Sequence, residues 1–233
     1  MEKFSLYEIL SFLLPGFVLI GIVQLYQKYV FGFEHLLFSS DSKFSESIIL
    51  LCLSLFVGVL LHFFTFWILG IKKNNWINKI VKPSVKTVSE NKSIQKILLF
   101  LFNEYKLLNK DNSKLNGDEN DIEDLFHFAY FYLETNNKIS AAKNFQSLYF
   151  WFRNMFTISC VLAPFSIIIL AITLIKGYTC YHIDSAITIM IVNIFMLIIL
   201  SPISRRLREK FIEKIFWSFY VEMIFKNEKN NKQ

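Results

Sequence analysis

Charge is what this chain is short of. Charged residues make up 19% of its 233 positions, while apolar residues make up 54% and phenylalanine alone occurs 26 times. Too few charges are present to cover a soluble core holding that many phenylalanines. Cysteine is scarce as well. Cys52, Cys160 and Cys180 form no CxxC pair and show no metal-ligand spacing, so reduced thiols among apolar neighbours are expected. The signatures GxxxxGK, GxGxxG, HExxH and GxSxG do not occur, and His35, His62, His127 and His182 have no ligand spacing. Those motifs are how phosphate cradles, dinucleotide folds, zinc sites and nucleophile elbows announce themselves. Catalytic residues, cofactors and metals are therefore not expected, and the chain does not read as an enzyme.

What is present is segregation. The apolar residues fall into four windows: about Ile9 to Gln27, Ser47 to Gly70, Met155 to Ile175 and Ile183 to Ile203. Each is long enough for the hydrocarbon core, which takes roughly 20 helical residues. The first has a leader with one lysine, Lys3, and no small-x-small cleavage site, so it reads as a retained anchor. The expected fold is all-α, a polytopic membrane protein with four transmembrane helices. Its segments are 1–71, an N-terminal hairpin; 72–152, a helical loop region; 153–204, a second hairpin; and 205–233, an amphipathic helix and tail.

Orientation follows from lysine and arginine. Of 25 such residues, all but Lys28, Lys43 and Lys176 fall in the leader, the large loop or the tail. Basic residues resist translocation. Both termini and the loop are thus expected in the cytoplasm, with the spans in a bacterial inner membrane.

The loop and tail carry their own helices. Asn74 to Lys82, bearing Trp76, reads as a short interfacial helix ended by Pro83. Ser93 to Leu108 is too apolar for free solution and must pack on the bilayer surface or on another helix. The acidic cluster Asp118, Glu119, Asp121, Glu123 and Asp124 invites a calcium reading. Gly117 precedes the acids instead of lying among them, so helix capping with Asp121 as N-cap is preferred. Asn136-Asn137 breaks that helix, and nothing from Ser140 to Lys176 stops the next one outright, although Pro164 should kink it. Thirty-seven residues at a 1.5 Å rise give about 55 Å, against a hydrocarbon core of about 30 Å. The third span should therefore extend into the cytoplasm as a stalk, with Trp151 and Arg153 marking the interface. After Pro202 the fourth span should extend likewise. Leu207, Phe211, Ile215, Phe219 and Met223 recur every fourth residue, with Ile212, Phe216 and Ile224 beside them. That apolar face should pack on the stalk or on the same helix of a neighbouring subunit.

Ionisable or polar residues inside spans are the usual pointers to function. His62 and Asn193 are each a pore-lining residue or a hydrogen-bonding tie between helices. Asp184, near the outer end of span four, is interfacial or forms a ring in an oligomer. Pro15-Gly16 opens the helix ladder as a static kink or a gating hinge, and Pro164 and Pro202 raise the same choice. Lys72, Lys73, Arg205, Arg206 and Arg208 are candidates for contact with lipid phosphate or another anionic ligand. Duplex nucleic acid is not an expected partner.

Three stretches carry a resemblance: YEILSFLLPGF (Tyr7 to Phe17), FQSLYFWFRN (Phe145 to Asn154) and RRLREKFIEKIFWSFY (Arg205 to Tyr220). Together they resemble small four-span bacterial membrane proteins of anti-phage defence loci, among them the membrane effectors of Hailong-type defence. The resemblance spans nearly the whole chain and rests on mostly hydrophobic motifs. It implies a homo-oligomeric channel, held shut by a nucleotide signal from a partner nucleotidyltransferase and opened to depolarise the cell. It carries over no binding residue. Two other roles compete: a non-conducting anchor that recruits a cytosolic protein through Ser93 to Leu108 and Leu207 to Ile224, and a small transporter subunit.

Overall fold

The computed structural model describes residues 9–29, 44–70, 83–109, 119–176 and 180–230. A π-helical turn, Ile9–Leu13, leads into α1 (Leu14–Tyr29), followed by α2 (Phe44–Gly70) and a short α3 (Val85–Ser89). Next come α4 (Lys92–Asn109), α5 (Glu119–Thr135), α6 (Ser140–Lys176) and α7 (Cys180–Asn230). Among the described residues there is no strand. Helices α1, α2, α6 and α7 are long and apolar enough to cross a membrane, so the chain is a helical, multi-pass membrane protein. The expected helix at Asn74 to Lys82 lies outside the described residues.

The chain divides into two compact units, Met1–Ile77 with Ser147–Ser204, and Asn78–Gln146 with Arg205–Gln233. In the first unit the outward residues are apolar, including Phe56, Phe63, Trp67, Phe195 and Ile198. In water such a surface would aggregate; in lipid it is solvated. The backbones of α1 and α2 meet with no side chain between them. A β-carbon at Gly16 would lie 1.7 Å from the Ser54 carbonyl oxygen, and one at Gly58 would lie 1.8 Å from that of Phe12. Only glycine allows an approach this close.

The second unit has a core of its own. Val85 and Val88 of α3, Ile94, Ile97 and Leu101 of α4, and Leu125, Phe126 and Leu133 of α5 bury together. Phe211, Ile212, Ile215, Phe216, Phe219 and Met223 of α7 complete it. The apolar stripe from Phe211 to Met223 is thus covered by the chain's own loop helices, by Ile139 and by Ala142 at the start of α6. The face of Ser93 to Leu108 packs against helices too. Polar contacts rim the core: Asn227 donates to Glu104 at 3.0 Å, and Lys143 and Lys138 pair with Glu134 and Glu222.

Local rules set the boundaries. The Ser84 hydroxyl caps α3 by accepting from the Thr87 amide at 3.2 Å. At the end of α5, Asn137 has φ 57°, and the amides of Lys138 and Asn137 bond the carbonyls of Leu133 and Glu134. This is a Schellman termination with asparagine in the left-handed position. It is why α6 starts afresh at Ser140. Asp121 does not cap α5, because the helix begins earlier, at Glu119. Helices α6 and α7 run unbroken for 37 and 51 residues, through Pro164 and Pro202 respectively.

Candidate functional site

Two polar clusters are buried in the first unit, and they contain His62 and Asn193, two of the polar residues the sequence marks inside the spans. The one nearer the start of α1 joins the π-helical turn, α2 and α6. His62 of α2 is 7% exposed, Arg153 of α6 is 2% exposed and Asn154 is fully buried. Arg153 Nη2 lies 3.1 Å from His62 Nδ1. Arginine has no acceptor, so Nδ1 accepts and the ring proton belongs on Nε2. Asn154 Nδ2 donates to the Ser11 carbonyl at 2.8 Å and approaches His62 Nδ1 at 3.4 Å.

Aromatic rings enclose this node. Phe12, Phe66 and Phe150 each set a ring edge-to-face with His62, at 5.0 Å between centroids. The Arg153 guanidinium lies over Phe66 at 4.4 Å and Phe150 at 4.6 Å. A delocalised, weakly hydrated cation is suited to such a cage, where ring faces offset part of the lost hydration. Arg153 is therefore not an interface anchor beside Trp151. Its side chain turns into the bundle, and it is the member of this cluster that sequence reasoning places at the interface instead.

The second cluster joins α1, α6 and α7. Asn193 Nδ2 donates to Ser166 Oγ at 3.0 Å and reaches the Tyr26 hydroxyl at 3.4 Å. The Tyr26 hydroxyl also bonds Ser166 Oγ. Because the Ser166 hydroxyl donates to the Leu162 carbonyl at 2.7 Å, the proton between Tyr26 and Ser166 comes from the tyrosine. Asn193 is thus engaged with neighbouring helices. Such bonds in a bilayer are worth about 0.6–2 kcal/mol each.

The other candidate residues are scattered. Asp184 is exposed, and its carbonyl accepts from the Thr188 hydroxyl. Pro15 and Gly16 are buried immediately after the π-helical turn, whereas Pro164 and Pro202 are exposed on their helices. The arginines after α7's apolar stretch divide. Arg205 pairs with Glu209 at 3.0 Å, Arg206 is exposed, and Arg208 lies over the rings of Phe211 and Phe126. Lys72 and Lys73 lie outside the described residues. An apolar groove of about 510 Å³ runs between α1, α2 and α6, lined by residues such as Leu19, Val57, Phe64 and Ile158. Among the described residues no group of histidine, cysteine or acidic side chains is placed to hold a metal ion.

Chemically, the two clusters tie helices together by donors and acceptors that lipid cannot supply. No family model, curated protein or solved structure matches this chain.

Proposed function

We propose that the chain is a pore-forming effector of the bacterial inner membrane, assembled from several copies and gated through its second unit. The observation that carries this reading is the continuity of α6 and α7, each of which belongs to both units without a break. A ligand or partner bound to the second unit would act on the first through these two helices. On this reading both helices project into the cytoplasm as stalks, with both termini and the large loop on that side.

Several copies are required because four helices cannot enclose a water path and also shield it from lipid, and within one copy the main intramembrane polar residues already bond to neighbouring helices or turns. Asn193 faces Ser166, Asn154 faces the Ser11 carbonyl and His62 faces Arg153. A water path then lies between copies, where Asp184 is available to favour cations. Anionic lipid meets the exposed Arg206. The resemblance to anti-phage membrane effectors supplies the biological setting: depolarisation of an infected cell, restrained by a nucleotide-type ligand from a partner nucleotidyltransferase.

The competing role of a passive anchor has less surface to act through, since most of the apolar face of Ser93 to Leu108 and of the tail helix is buried in the second unit's core, with Leu99 and Val221 left exposed. Ion flux into liposomes containing the purified protein, together with its mass in detergent, is the deciding measurement. A ring of defined stoichiometry that passes cations supports the proposal. A non-conducting monomer refutes it.

A further inference from the structure

Pro15 carries no amide hydrogen, so the backbone ladder leading into α1 is one donor short: in α register the carbonyl left over is that of Ser11, and in the register of the preceding π-helical turn it is that of Leu10. In a bilayer that vacancy has to be filled from elsewhere, because no water is present to fill it. Here the donor comes from another helix: Asn154 Nδ2 of α6 sits 2.8 Å from the Ser11 oxygen. The chain immediately before Pro15 is wound as a π-helical turn, Ile9–Leu13. Such turns loosen the ladder locally and recur where helices must change shape.

We propose that Ser11 to Pro15 is a hinge at the junction of the π-helical turn and α1, and that Asn154 is its latch, released when α6 turns. The amide can hold the hinge in one orientation only. Flipped, Asn154 Oδ1 would face the Ser11 oxygen, acceptor against acceptor. In the latched orientation Nδ2 donates to the Ser11 carbonyl at 2.8 Å and lies 3.4 Å from His62 Nδ1, whose single lone pair is shared with the nearer Arg153. Oδ1 is left buried without a hydrogen bond among the described residues, as are Ser11 Oγ and Ser54 Oγ. Unmet acceptors and donors around one good bond are what a poised catch needs: rotation of α6 loses one contact and opens the way to others. Gly58, against the Phe12 carbonyl, leaves α2 in direct backbone contact beside the hinge.

The latch as a role in gating rests on the channel reading above, but the bond itself is tested without ion flux. The full-length protein in nanodiscs is compared as wild type, Asn154→Ala, Pro15→Ala and the double variant. Alanine at 15 restores the missing amide, so Asn154 should matter only when Pro15 is present. Expected is a fall of about 3 °C in Tm for Asn154→Ala in the native background, shrinking to under 1 °C when Pro15→Ala is also present. Hydrogen exchange should rise about tenfold in the 9–16 amides of Asn154→Ala and nowhere else in the first unit. If Asn154→Ala fails to insert while the double variant inserts, the coupling is equally demonstrated. Equal losses in both backgrounds, failure of both variants to insert, or exchange raised uniformly through the unit, would overturn the latch. A protein that passes the cycle yet conducts nothing would retain the latch and lose only the channel.

Discussion

The two units solve opposite solvation problems with the same alphabet. In the first, Phe56, Phe63 and Trp67 face outward while His62, Arg153, Asn154 and Asn193 are buried. In the second, Phe211, Phe216 and Phe219 are inside and lysine and glutamate pairs form the rim. Phenylalanine therefore carries little stability where lipid touches it and a great deal where it leaves water. Polar groups reverse that order. They are the ties of the first unit and the surface of the second.

The sharpest way to break this contrast is to truncate one ring in each unit. Phe216→Ala should cost about 3–5 kcal/mol, whereas Phe56→Ala should leave unfolding in lipid nearly unchanged; comparable losses would erase the distinction. Close behind comes the glycine contact. Gly16→Ala should destabilise by about 3 kcal/mol, because the Ser54 backbone cannot step aside cheaply. Gly21→Ala, whose β-carbon would meet open space, should be neutral or stabilise by up to about 1 kcal/mol. Thermal melts of the two variants side by side check both.

Replacing His62 with phenylalanine keeps the ring in its aromatic cage but removes the acceptor for Arg153, at about 1–3 kcal/mol. His62→Gln, which retains an acceptor, should recover part of that; a phenylalanine variant as stable as wild type would mean the bond contributes nothing. The smallest effect is expected at the second cluster. Asn193→Ala should cost about 1 kcal/mol, and combining it with Ser166→Ala should cost less than the separate losses added together. Full additivity would mean that the two side chains do not cooperate.

Much of the fold is legible in the sequence because it follows from periodicity and local chemistry. The four apolar windows, the break at Asn136-Asn137 and the run of α7 through Pro202 all depend on residues close together in the chain. So does the apolar stripe from Phe211 to Met223. What fails is whatever depends on distant partners. Arg153 follows Trp151 and looks like an interface anchor, yet its partner His62 lies 91 residues away. Gly58 shows no motif with Gly16, and their contact exists only once α1 and α2 are antiparallel. Pro15 is readable as a break, but the asparagine that repairs it is 143 residues downstream of Ser11. Asp121 fails for a smaller reason, since the helix simply starts two residues earlier.

The second unit is drawn from residues 78–146 and 205–233, and this split has a consequence for how the protein is made. When α4 and α5 leave the ribosome, Phe211, Ile215, Phe216 and Phe219 have yet to be translated. At cellular elongation rates several seconds pass before they appear. For that interval the nascent loop exposes sticky surface to every chaperone and protease in reach. Its maturation awaits the last segment of α7, so a nonsense mutation shortly after residue 204 should yield a chain that is degraded rather than a working half.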